Sequence, residues 1–126
     1  MLTRTIKDGR VCIESTEGFT VEPSFPNGNG SCVVYSEGDQ TIVLDAVLWY
    51  DSAEDREANL LQMTRRQREK LFERTIMLVY VPEVLKWRKT NETISKEDRS
   101  RIFANSRAAL EFDNVKPRFV RERRGI

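Results

Sequence analysis

The sequence predicts a single α+β domain over residues 1–126: a mostly antiparallel sheet, formed by an N-terminal meander and a C-terminal strand, with two helices packed on one face. Three observations carry this expectation. The first 50 residues alternate apolar and polar side chains in short runs separated by glycine-bearing turns. Two later segments begin with a hydroxyl side chain and continue with apolar residues at helical spacing. The last alternating run contains a proline, which suits an edge strand.

The meander is read as follows. Runs at residues 2–6 and 10–14 flank Lys7, Asp8 and Gly9, and Asp-Gly favours a two-residue hairpin because both positions must take positive φ. Gly18 marks the next turn, and residues 19–22 alternate until Pro23 and Pro26. Asn27, Gly28, Asn29 and Gly30 form a loop signal. They could cradle a phosphate only if Lys-Ser or Lys-Thr and a helix followed, and neither does. Residues 31–36 and 40–50 read as two more strands around Gly38.

Residues 51–62 are polar and read as a linker or the start of a helix. Thr64 with Gln67 makes a capping box, so a helix is expected from Arg65 to about Tyr80, ended by Pro82. Residues 84–87 suggest a short strand or turn. Ser95 caps a second helix, expected from Lys96 to about Phe112, with Ile102, Phe103, Ser106, Leu110 and Phe112 on its stripe. Asp113 and Asn114 end it, and residues 115–122 form the last strand. A basic tail begins at about residue 120.

Composition excludes several kinds of chemistry. There is no histidine among the 126 residues, so Ser-His-Asp and Cys-His hydrolases and HExxH metalloproteases are ruled out. The two cysteines, Cys12 and Cys32, are too few for the usual four-ligand zinc sites and read as reduced core thiols. Glu54, Asp55 and Glu57 lack the spacing of a twelve-residue calcium loop and read as a solvated acidic segment. No metal or cofactor is expected. No apolar run is long enough to span a bilayer, and no charged segment leading into an apolar one marks the N-terminus for secretion. A cytoplasmic protein without membrane contact is therefore expected.

Charge is unevenly distributed although the net value is only +1. Residues 1–63 hold 4 basic and 11 acidic side chains, whereas residues 64–126 hold 17 basic and 9 acidic ones. The halves can neutralise each other, or one patch can meet an oppositely charged partner. Trp49 and Tyr50 precede Asp51, Glu54, Asp55 and Glu57, an aromatic anchor beside an acidic rim that would suit a basic protein. Trp87 is a third aromatic candidate, for which core packing is the default. Arg118, Arg121, Arg123 and Arg124 form the alternative, a basic segment of a nucleic-acid-binding or adaptor domain, although no RNA-recognition or helix-turn-helix signature accompanies it. Asp45 interrupts an apolar strand and is expected on the solvent face or paired with an arginine.

The last third resembles a known group. Trp87, the capped segment from Ile94 and Ser95 through Asp98, Ile102, Ala108, Leu110 and Phe112, and the strand from Val115 to Val120 are similar to the closing segment of small bacterial immunity proteins. These accompany polymorphic or contact-dependent growth inhibition toxins. Asp113 and Asn114 depart from that pattern, in which a glycine turn is more usual. The resemblance implies a cytoplasmic, non-enzymatic inhibitor that binds a cognate toxin, often a nuclease. It assigns no binding residue.

Overall fold

In the computed structural model, residues 1–24, 31–57 and 62–121 are described. The meander is β1 (Leu2–Lys7), β2 (Arg10–Ser15), β3 (Phe19–Ser24), β4 (Ser31–Glu37) and β5 (Gln40–Trp49). A short helix α1 (Ala53–Glu57) and a second helix α2 (Arg65–Glu73) lead to β6 (Ile76–Val81). The long helix α3 (Lys96–Phe112) and strand β7 (Lys116–Arg121) complete the order. All seven strands form one sheet in sequence order, antiparallel throughout except for β6 and β7, which are parallel.

The turns follow from local chemistry. Asp8 and Gly9 have φ of 52° and 76°, the two positive values that a type I′ hairpin requires. Gly38, at φ 59°, opens the β4–β5 turn, where a Cβ would be strained. The expected capping box is present: Gln67 N donates to Thr64 Oγ1 at 3.2 Å, and Thr64 N donates to Gln67 Oε1 at 2.9 Å. Ser95 Oγ accepts from Asp98 N at 3.1 Å at the start of α3. Asn114, at φ 61°, follows the C-cap Asp113 and turns the chain into β7.

The structure corrects the expected bounds of two elements. The helix expected from Arg65 to Tyr80 ends at Glu73, and residues 76–81 are strand β6. The run Ile76, Met77, Leu78, Val79, Tyr80 and Val81 is apolar and mostly β-branched or aromatic, and it pairs on both sides, with β5 and with β7. Such a run is the signature of an interior strand, and it overrides the helix-like spacing of the preceding residues. Residues 84–87, expected as a short strand or turn, follow a bend and carry a single bridge between Lys86 and Thr93. Tyr50 lies beyond the end of β5.

The core lies on one face of the sheet. Alternation in β5 buries Ile42, Leu44 and Ala46 and leaves Val43, Asp45 and Val47 outside. The inward rows include Val21, Tyr35 and Ile42, joined by the register of β3, β4 and β5. α3 touches β2, β3 and β7 and contributes Ile102, Ala109 and Leu110 to the core cluster. No α2 residue among those described belongs to that cluster. Leu85, Trp87 and Ile94, from the segment between β6 and α3, complete it. Trp87 is therefore a core residue, 5% exposed. Phe112, expected on the buried stripe of α3, is exposed at the helix end.

Polar contacts fix α3 across the sheet. Arg101 pairs with Glu37 of β4 and, at 2.6 Å, with Asp98. The hydroxyl of Tyr35 donates to Glu37 Oε2 at 2.8 Å and accepts from Asn105 Nδ2 at 3.0 Å. Burial pushes the Tyr35 phenol up to about 12, so it stays neutral and serves as a hydrogen-bonding strut. Arg4 of β1 pairs with Asp113 at 2.8 Å, at the end of α3. On the opposite side, Phe103 meets Phe119 of β7 with centroids 5.4 Å apart.

Among the described residues, one buried side-chain polar atom has no hydrogen-bond partner: Ser106 Oγ. Replacing Ser106 with Ala is expected to raise stability by about 1 kcal/mol, because a desolvated hydroxyl without a hydrogen bond disappears and helix propensity improves. By contrast, Ile102→Ala is expected to cost about 2–5 kcal/mol through lost burial and a residual cavity. Urea denaturation of the two variants checks both signs.

Candidate functional site

The site begins where β5 leaves the sheet. Trp49 is the last residue of β5, and its side chain lies on the face opposite α3, paired across the ladder with Ile76. It is 64% exposed, unusual for so large an apolar ring. Tyr50 is half-buried, and burial raises its phenol above the ordinary value. Asp51 is exposed in the following bend, and Ser52 Oγ accepts from Asp55 N at 3.1 Å, which starts α1. The described part of the linker thus contains a short capped helix that leaves Glu54 and Glu57 exposed, five and eight residues after Trp49.

Asp55 differs from its acidic neighbours. Its two carboxylate oxygens receive the Arg74 guanidinium, Nε at 2.7 Å and a terminal nitrogen at 2.8 Å. Its side chain is only 11% exposed. Arg74 also donates to the carbonyl of Lys70 at 2.9 Å, near the end of α2. This two-pronged pair ties α1 to α2 and occupies both oxygens, so Asp55 is a structural anchor of the segment. Asp51, Glu54 and Glu57 remain as the exposed acids. Among the described residues no group of three acidic or cysteine side chains converges as a metal site would require.

The two described arginines of the basic segment, Arg118 and Arg121, do not share one surface. Arg118 lies on the outer face of β7 opposite Leu78, whereas Arg121 is aligned with Val81. Three positions apart on a strand, they point to opposite faces. Arg121 lines a shallow cavity of about 320 Å³ with Arg99, Phe103 and Phe119. Arg99 is already engaged there, donating to the carbonyl of Glu83 at 3.0 Å while stacking 5.6 Å over the Phe103 ring. Arg123 and Arg124 lie outside the described residues, as does the loop of residues 27–30.

The sequence did not reveal the outer face of the sheet as an apolar surface. Val43, Val47 and Ile76 are 39%, 44% and 36% exposed on the same side as Trp49, with Leu78 half-buried among them. Asp45 stands in this row between Val43 and Val47, exposed and with no ion pair among the described residues. The signal was present in β5, whose apolar residues occupy both parities. A strand with one wet face keeps them on one parity only. Cys12 is buried and Cys32 half-buried, both as free thiols, and burial raises the Cys12 thiol pKa.

No helix among the described residues is long and apolar enough to cross a membrane. Comparison with family models, curated proteins and solved structures gives no match to this chain.

The Arg74 guanidinium holds the Asp55 carboxyl below its ordinary value of 3.8. A depressed folded-state pKa stabilises the fold above the ordinary carboxylate range, and that contribution is lost as pH falls through the folded value. Asp55→Asn is therefore expected to destabilise the protein at neutral pH, and the gap to the unaltered chain narrows below pH 3.8. Thermal melts of both proteins across this acid limb measure the effect.

Proposed function

We propose that the chain is a non-enzymatic immunity protein that binds and neutralises a cognate bacterial toxin. Trp49 carries this reading: a large ring is exposed at the end of β5, and the exposed acidic side chains of Asp51, Glu54 and Glu57 follow it within eight residues of sequence. An exposed aromatic anchor supplies contact area at low entropic cost, and a charged rim steers an oppositely charged partner toward it. The acidic rim fits a toxin with a basic surface, such as a nuclease that grips phosphate. The similarity of the last third to immunity proteins supports the toxin class, and the absence of histidine agrees with a binding role.

Charge and aromatic contact have separable effects. Rim carboxylates act on the encounter rate and its salt dependence, whereas the central ring acts on dissociation. In this reading Asp55 keeps α1 in place and contacts no toxin.

Co-expression with the products of the neighbouring genes, one of which is expected to be a growth-arresting toxin, tests the reading. The unaltered chain is expected to restore growth, and Trp49→Ala to weaken the complex by roughly thirtyfold through faster dissociation. Changing Glu54 and Glu57 together to Gln should slow association mainly at low salt. Absence of protection by the unaltered chain rejects the immunity function, and undiminished affinity of Trp49→Ala rejects the site.

A further inference from the structure

The outer face of the sheet poses a question that the acidic turn does not answer. α3 covers one face, and the opposite face keeps an apolar band along the two adjacent strands β5 and β6. Val43, Val47 and Trp49 form one row of this band and Ile76 and Leu78 the other, in direct ladder register. Asp45 interrupts the first row with a carboxylate that no described residue neutralises.

Dimensions and charge say what would fit. Two neighbouring strands span about 10 Å including their flanks, and the six steps from Val43 to Trp49 span about 20 Å. A helix is about 10–12 Å wide and reaches ~20 Å in about 13 residues, so one helix fills the band where a second sheet would overhang it. Charges of opposite sign flank the band, one strand away on one side and two strands away on the other. On one side β7 presents Arg118, which forms no ion pair among the described residues, opposite Leu78. On the other side Glu22 of β3 is in register with Val34, which is in register with Val43.

We propose that this outer face is the seat of an amphipathic helix from a basic partner protein, with one arginine or lysine on its apolar stripe pairing with Asp45. The acidic flank of that helix lies toward Arg118 and its basic flank toward Glu22. A purely apolar helix would leave the Asp45 carboxylate desolvated and unpaired, so the charge selects among helices of similar shape. A second copy of this chain fits less well, because a symmetric face-to-face pairing centred on this band brings two Asp45 carboxylates together. The inference rests on the reading of the chain as a protein-binding module and names the chemistry of its partner.

The probe is a synthetic helical peptide of about 13 residues with a leucine stripe, one central arginine on that stripe, glutamates on one flank and lysines on the other. Binding is followed by Trp49 fluorescence and by amide shifts of the full chain. Shifts are expected along Val43–Trp49 and Ile76–Leu78. Asp45→Lys is expected to weaken binding at least tenfold, and a peptide with glutamate in place of the central arginine to recover it. Melting of Asp45→Lys at the temperature of the unaltered chain shows that the fold is intact, and Asp45→Asn, which adds no charge, serves as the second variant.

Three results overturn the inference: no binding, shifts confined to residues 51–57, or sedimentation showing a dimer that Val47→Glu dissolves. Full toxin protection by Asp45→Lys with unchanged affinity also overturns it while leaving the immunity function in place. Loss of that function is read separately, from failure of the unaltered chain to protect.

Discussion

The architecture depends on one helix covering one face of a seven-stranded sheet. The inward rows of β2 to β6 are apolar and need a lid, and α3 is the long helix that supplies it. Small side chains make the close approach feasible: Ser106 and Ala109 are fully buried on α3 between Ile102 and Leu110. The segment joining β6 to α3 extends the cover with Leu85, Trp87 and Ile94. Contacts at the rim, from Arg4 to Asp113 and from Arg101 to Glu37, then set the angle at which the helix lies. Salt bridges this exposed add little to stability on their own. Their value lies in alignment, because the burial beneath them depends on register.

The uneven charge of the sequence acquires a physical meaning in the folded chain. Arg74 with Asp55, and Arg101 with Glu37, each join the basic half to the acidic half. Part of the asymmetry is therefore spent on internal cohesion. The carboxylates of Asp45, Asp51, Glu54 and Glu57 remain exposed to solvent. They lie along the outer row of β5 and the turn beyond it, while Asp8, Glu17 and Asp39 carry the rest of the exposed acidic charge of the first half at the hairpin turns.

Much of this fold was legible in the residues, and particular elements show why the rest was not. Hairpin turns and helix caps are local: Asp8 with Gly9, Thr64 with Gln67, and Ser95 with Asp98 specify their geometry within a few residues, and each is found as read. β6 is not local. Its residues continue the helical spacing of Leu71 and Thr75, and only pairing with β5 and β7, distant in sequence on both sides, makes them a strand. The tryptophans show the same limit. Trp87 and Trp49 are alike in sequence context, yet one fills the core and the other faces water, because the sheet parity and the path of residues 82–95 decide their surroundings. In the candidate site the acidic turn could be located from composition, but the two-pronged capture of Asp55 by Arg74 spans 19 residues and could not. The outer apolar face was hidden for a similar reason: it is a property of two strands together.

The strand order carries a consequence for assembly. From β1 to β5 every neighbour in space is the next in sequence, so zipping proceeds through short loops whose closure entropy is small. β7 alone joins its neighbour in parallel, after a crossover through residues 82–115. Its docking closes the longest connection in the sheet, so loop-closure entropy predicts it as a late step, with the amino-terminal ribbon as template and the carboxyl-terminal strand as latch.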